Sequence, residues 1–187
     1  MERERIRMRI IAGDKRGSRL QTLEGNDVRP TLERVKEAMF SSVQFLLPGA
    51  VVLDLFAGSG QLGLEALSRG AARCTFVDSS AQAAAVVSQN ARNLGLFGLS
   101  RVVTMEARSF LAQSRDKYDI ILLDPPYAAD LLPDILVQVA AVTAPGGVVL
   151  CESDATPVFP PEAGGLVLKK CYRYGIVRLA RYQMPLE

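Results

Sequence analysis

The sequence predicts an α/β fold, a mostly parallel sheet covered by helices on both faces. Three observations carry that reading. From residue 50 onward, short and almost wholly apolar runs alternate with amphipathic stretches. Strands that apolar are buried on both faces, which is what helical crossovers between parallel strands produce. A literal G-x-G-x-x-G, made by Gly58, Gly60 and Gly63, sits between the first of these runs and the helix after it. The chain has 187 residues, 49% hydrophobic and 22% charged, enough for one domain with a sizeable core and unlike a disordered segment.

Taken in order, Ile6, Met8 and Ile10 alternate with Arg5, Arg7 and Arg9. Period 2 predicts a strand with one apolar and one basic face. Gly13-Asp14-Lys15-Arg16-Gly17 is turn chemistry, and residues 18–21 return as a partner strand, so the first ~25 residues read as a basic hairpin. A weak linker falls at 24–30. Pro30-Thr31 opens a helix with Thr31 as N-cap and Val35, Ala38, Met39 and Val43 on one face. Arg29 and Arg34 stand at its start, where cations do not favour the helix dipole, so another use is expected for them. Strands follow at 51–55, 74–77, 102–105, 118–123 and 147–152, separated by helices at 62–68, 81–94, 109–113 and 131–142. Two late strands, 166–171 and 175–182, have a short connection and are expected to be antiparallel. No internal repeat is visible.

Charge is unevenly placed. The net +2 resolves into seven Lys/Arg against three Asp/Glu in residues 1–23, ten against sixteen in 24–164, and five against one in 165–187. An acidic body with two basic ends suits a polyanionic partner. The chain has no His, which excludes a Ser-His-Asp triad, a Cys-His pair, a His-ligated metal and imidazole acid–base catalysis. Cys74, Cys151 and Cys171 form no C-x-x-C pair and are expected as buried thiols in a reducing compartment. Residues 1–5 hold no apolar signal core, and nowhere do about 18 apolar residues follow one another. A soluble cytoplasmic protein is expected.

Three motifs carry chemistry. The loop Asp54-Leu55-Phe56-Ala57-Gly58-Ser59-Gly60-Gln61-Leu62-Gly63 lets backbone approach a ligand at a helix N-terminus. Asp78 ends the second strand about 20 residues past the glycines, where a carboxylate accepts from ribose hydroxyls; an N-cap made by Asp78, Ser79 or Ser80 is the competing use. At this point a dinucleotide and S-adenosylmethionine are both admissible. The tetrapeptide Asp124-Pro125-Pro126-Tyr127 separates them. It follows an apolar strand at the end where ligands bind. The Asp124 carboxylate and the Pro125 carbonyl are two adjacent acceptors and Tyr127 is a flat ring, a set that suits an exocyclic amine on a nucleobase.

With DPPY and the FAGSG loop together, the chain resembles class I S-adenosylmethionine-dependent amino methyltransferases. More closely it resembles the bacterial 16S ribosomal RNA guanine-N2 methyltransferase family conventionally named for guanine 966. The resemblance runs over nearly the whole chain, through Arg9-Ile10-Ile11-Ala12-Gly13 with Arg16-Gly17, Arg29-Pro30-Thr31 with Arg34-Val35-Lys36-Glu37 and Phe40, residues 54–67, Ser68-Arg69-Gly70, and Asp124 to Tyr127. It implies a Rossmann-like class I methyltransferase with a seven-stranded, mostly parallel sheet and an antiparallel last strand, preceded by the hairpin and helix. Residues 1–28 would be a basic extension and 29–187 the methyltransferase domain. Asp54, Ala57, Gly58 and Gly60 would line the methionine part of the cofactor, with Phe56 among the cofactor contacts. Asp78 would hold the ribose, and Glu106 and Ala107 would flank the adenine. The family more often has Asp or Asn where Glu106 stands, and a second acid where Ser80 stands.

The resemblance also implies methyl transfer to the N2 amine of a guanine in 16S rRNA, within a small-subunit assembly intermediate, by a monomer that needs no metal and no membrane. Asp124 and the Pro125 carbonyl would orient the amine, Pro126 would stiffen the loop and Tyr127 would stack on the base. Arg7, Arg9, Lys15, Arg16 and Arg19 would touch phosphates, with Arg29, Thr31 and Arg34 nearer the base. Three alternatives remain. A DNA or other RNA amino methyltransferase acting on N6 of adenine or N4 of cytosine shares the tetrapeptide, although little chain is left for a separate target-recognition region. An NAD-dependent oxidoreductase would need an acid–base group for which no His is available. An RNA-binding module with a vestigial cofactor site would not need Asp54, Asp78 and Asp124 intact.

Overall fold

A computed structural model describes residues 8–23, 30–126, 128–153 and 159–186, with backbone alone at 30–32 and 128–130. Helix α1 spans Pro30–Ser41, α2 Gln61–Ser68, α3 Ala81–Asn93, α4 Ala107–Gln113 and α5 Ala128–Ala140. Strands are β1 Val51–Leu55, β2 Arg73–Asp78, β3 Ser100–Thr104, β4 Tyr118–Leu123, β5 Thr143–Ser153, β6 Glu162–Ala163, β7 Leu166–Tyr174 and β8 Val177–Gln183. They form one sheet in the order β3-β2-β1-β4-β5-β8-β7-β6. Strands β1 to β5 are parallel, with Leu55 beside both Val77 and Leu123. β8 enters antiparallel between β5 and β7. Among the described residues the sheet thus has eight strands rather than seven. The extra one is the two-residue β6, too short to leave a periodic trace in the sequence.

Two apolar clusters sandwich the sheet. One gathers α1, α2 and α3 side chains, among them Met39, Phe40, Leu64, Leu67 and Val87, over Val52, Ile120 and Leu150. The other places Phe110, Leu111, Leu132, Ile135 and Leu136 of α4 and α5 over Leu53, Ile121 and Val149. The alternation of neighbouring strand residues between the two clusters follows from the period of 2. Both faces being covered is why β1 and β4 are apolar almost throughout.

Several local expectations change. Thr31 lies inside α1 rather than capping it, because Pro30 takes the first helical position, where its missing N–H and fixed φ fit. α5 begins three residues before the expected start and carries Pro133 inside it. β5 starts at Thr143, because Thr143 pairs with Tyr118 ahead of a register shift that absorbs the Pro145-Gly146-Gly147 turn chemistry. Cys74 and Cys151 are buried but Cys171 is exposed, since β7 is exposed on both sides along 169–171.

Among the described residues the basic hairpin closes with one bridge, Arg9 opposite Arg19. Ile10 N–H donates to the Ser18 carbonyl and Leu20 N–H to the Met8 carbonyl, both at 2.9 Å. Met8, Ile10 and Leu20 point into the core cluster of α1 to α3. Arg9 faces outward, as the alternation requires.

A buried carboxylate docks this loop. Glu65, in the middle of α2, is fully buried. Its Oε2 accepts from Ile11 N–H and from Lys36 Nζ, and its Oε1 from Ala12 N–H and from Arg69 Nε, each at 2.9 Å. Burial alone would raise its pKa; the Lys36 charge, the Ile11 N–H and Arg69 outweigh that and hold it below the usual carboxylate range. Lys36, nearly as buried, has its pKa lowered by burial and gives a further hydrogen bond to the Arg9 carbonyl. Ser68 accepts from Lys15 N–H and donates to the Ala12 carbonyl. The loop passes so close to α2 that a Cβ on Gly13 would lie 1.9 Å from the Ser68 carbonyl oxygen.

Candidate active site

Strand order puts β1 and β4 side by side while their crossovers leave in opposite directions, β1 toward β2 and β4 toward β5. That is a topological switch point, and ligands of such sheets bind in the crevice outside the carboxyl ends of the strands. The Phe56–Gly60 loop and the Asp124-Pro125-Pro126 loop leave the sheet there on adjacent strands.

The glycine loop is a tight turn with Ala57 N–H on the Val77 carbonyl and Gly60 N–H on the Ala57 carbonyl. Gly58 and Gly60 have φ of 56° and 82°. Phe56 has φ 67°, the one positive value at a non-glycine among the described residues. A bulky residue held in that region stores strain, and strain of this kind collects at functional sites. A Cβ on Gly58 would meet nothing within 4 Å, so the loop offers an open backbone face. Gly63 is needed for packing, since a Cβ there would lie 2.3 Å from Phe76 of β2.

The three acids occupy the ends of three adjacent strands. Asp78 binds the loop to β2, its Oδ2 accepting from Gly58 N–H and its Oδ1 from Ser80 N–H, each at 2.9 Å. A carboxylate has about four acceptor positions, so both oxygens keep capacity for hydroxyl donors. Asp54 is 1% exposed, and its Oδ2 accepts from Gly63 N–H at 2.9 Å. It lies beneath the loop and holds the first turn of α2. Burial drives its pKa well above the usual range, and the nearby Asp124 and Asp78 charges add to that. Asp124 is exposed at the end of β4, beside a buried Pro125. Tyr127 lies outside the described residues.

Glu106 stands exposed at the start of α4. Its carboxylate caps α4 through Ser109 N–H at 3.0 Å, and its pKa is lowered by backbone hydrogen bonding at Arg108 and Ser109. Ala107 is buried behind it. Ser80, standing where the family's second acid falls, caps α3 by accepting from Ala83 N–H.

Of the basic residues, Arg16, Arg19 and Arg34 are exposed and Lys15 is half-buried. Arg9 is exposed but paired with Glu33 at 2.9 Å. Arg7 and Arg29 lie outside the described residues, as does the Thr31 side chain. The hairpin meets the glycine loop directly. Asn90 of α3 donates to the Ser59 and Gln21 carbonyls and accepts from Gln21 N–H, and Ser59 Oγ donates to Met8 Sδ. Sequence reasoning missed Asn90, Glu65 and Lys36. Apart from Arg69, four residues on from Glu65, their partners lie 27 to 69 residues away in the chain.

The family model described as Conserved hypothetical protein 95 matches residues 8–183. The chain is 35% identical over 181 residues to "Putative rRNA methyltransferase YlbH" of Bacillus subtilis (strain 168), covering 94% of this chain and 98% of that one. It is 41% identical over 131 residues to "Ribosomal RNA small subunit methyltransferase D" of Escherichia coli (strain K12), covering 69% and 65%. Among solved structures, "Putative methyltransferase yhhF from Escherichia coli" superposes with a TM-score of 0.87 at 31% identity, over 97% of this chain and 99% of that one. "SMU.776, a putative methyltransferase complexed with SAH" superposes at 0.71 with 15% identity, over 83% and 50%, and so shares the fold.

Proposed function

The chain belongs to the Conserved hypothetical protein 95 family, and from that premise we propose that it transfers a methyl group from S-adenosylmethionine to the exocyclic N2 amine of a guanine in 16S rRNA. The observation that carries this reading is the juxtaposition at the switch point: a glycine loop with an open face, Asp78 tied to it, and the Asp124-Pro125 acceptors on the neighbouring strand. A cluster of Asp54, Asp78 and Asp124 suits a ligand that is itself cationic. S-adenosylmethionine supplies an activated methyl on a sulfonium, so the protein's task is alignment.

Each residue then has a defined task. Asp78 accepts from the ribose hydroxyls, and the Gly58 face admits the cofactor chain. Asp54 acts from below, holding the first turn of α2 through Gly63 N–H. Ala107 closes the adenine side. The Asp124 carboxylate and the Pro125 carbonyl accept from the guanine N2 amine, turn its lone pair toward the methyl group and stabilise the positive charge that develops on nitrogen. Tyr127 stacks on the extruded base. The proton leaves after transfer, so no His is required. Lys15, Arg16, Arg19 and Arg34, with Arg7 and Arg29, hold the RNA backbone.

The test is transfer of labelled methyl to 16S rRNA, naked or in assembling subunits, with digestion to nucleosides to identify the product. Asp124→Ala is expected to keep cofactor binding and lose transfer by at least ~10². Near-normal turnover, or a product other than N2-methylguanosine, overturns the proposal.

A further inference from the structure

The outer hairpin of the sheet carries chemistry that the methyl-transfer site does not use. Lys170, Tyr172 and Tyr174 alternate along β7 and so share one face. Lys170 Nζ stands 4.9 Å from the centroid of the Tyr172 ring. The Tyr172 and Tyr174 rings are 6.4 Å apart and only 22° from parallel. Both tyrosines are half-buried and backed by the core cluster under α1, so the rings are held in place before anything binds.

The hairpin is also arranged at a cost to itself. Lys170 is the register partner of Arg181, and Arg173 that of Arg178. Like charges directly opposite on neighbouring strands destabilise a sheet. The Lys170–Arg181 pair lies on the tyrosine face and is relieved by an anion lying along that face, while Arg173 and Arg178 fall on the opposite face. Position completes the case. Arg178 pairs with Ser153 at the carboxyl end of β5, so the tip of the hairpin stands at the same edge of the sheet as Asp124. Three strand spacings separate β4 from β7, about 14 Å.

We infer that the β7–β8 hairpin is a stacking platform for single-stranded RNA, with Tyr172 and Tyr174 receiving bases that flank the target and Lys170 and Arg181 facing the phosphates. The inference rests on the proposed RNA substrate and extends it to an element outside the N-terminal basic loop. Rings stacked beside cations form the general solution for sequence-tolerant binding of single strands, and loss of one stacking ring weakens such binding about 5- to 150-fold.

The experiment uses the full chain with Tyr172→Leu, Tyr174→Leu and the corresponding Phe variants. Leu keeps apolar volume against the core, and Phe keeps the flat ring. Thermal shift with S-adenosylhomocysteine reports whether each variant is folded and binds cofactor. Affinity is measured for a 16S rRNA transcript, an oligouridylate strand and an RNA duplex. Each Leu variant is expected to weaken both single-strand-containing probes at least about fivefold, to change duplex binding little and to leave the cofactor shift intact, with Phe restoring the loss. Unchanged affinity in the Leu variants overturns the platform while methyl transfer by the wild type stands. If the wild type binds RNA but methylates none, the activity proposal falls and the platform is judged on the Leu variants alone. If the wild type binds no RNA, both fall.

Discussion

Replacing Glu65 by Gln preserves shape and removes the charge on which the N-terminal loop is docked. Each carboxylate oxygen accepts from one backbone N–H and one cation: Ile11 and Lys36 on Oε2, Ala12 and Arg69 on Oε1. An amide offers one oxygen and one NH2 group. In either orientation its NH2 faces a backbone N–H and a cation, donor against donor. A backbone N–H left without an acceptor costs about 1–3 kcal/mol. Lys36 keeps its charge with its counter-ion gone, and removing one partner of a buried pair costs about 3–5 kcal/mol. The two effects overlap, so about 3–5 kcal/mol is expected in all, a large fraction of the ~5–15 kcal/mol stability of a domain. Urea unfolding followed by circular dichroism reads the global loss, and hydrogen exchange at the Ile11 and Ala12 amides reads undocking of the loop. In a cycle with Lys36→Met the two changes should couple by at least ~1.5 kcal/mol, because Met leaves no charge to strand. A loss below ~1 kcal/mol with unchanged exchange refutes the docking role.

Further outcomes follow from the same region. Gly13→Ala and Gly17→Ala both force Ala to a positive φ, 84° and 81°, but only the Gly13 Cβ meets backbone. Gly17→Ala should cost about 1–2 kcal/mol and Gly13→Ala clearly more, measured as urea midpoints; equal losses refute the close approach. Because the folded Glu65 has a lowered pKa, its stabilisation is present above the unfolded carboxylate pKa and is lost as pH falls through the lower folded value. Lys36 is protonated in both states there and adds no slope. Exchange protection of the loop should therefore fall on acidification in the wild type, and Glu65→Gln should show no such step.

What the sequence reveals and what it hides divide along chain distance. The bounds of β1 and β4 are legible because both are apolar runs closed by turn chemistry, and the glycine loop and DPPY fall at their ends. The Ser80 cap of α3 is local and legible too. Glu106 shows a subtler limit: its place in the sequence leads to the adenine rim and does not reveal that its carboxylate also caps α4 through the Ser109 N–H. Arg9 reads as a free cation until Glu33 is brought beside it. The Glu65 hub and the Asn90 link are invisible because their partners are set by the fold. The basic hairpin is legible from alternation and turn chemistry, yet its place against the glycine loop depends on those links.

Strand β8 has a consequence for the order in which the molecule assembles. It sits between β5 and β7, yet it is the last of the three to be synthesised. Until it arrives, β5 presents an unpaired apolar edge and β7 has no neighbour on its inner side. Such edges are templates for pairing with other chains. The step that inserts residues 177–183 is thus the one that closes the sheet, and it also brings β8 against α1, the first helix of the chain. A proline at Leu179, buried and opposite Glu152 and Tyr172, would both weaken the finished sheet, by removing a ladder donor, and prolong a sticky intermediate.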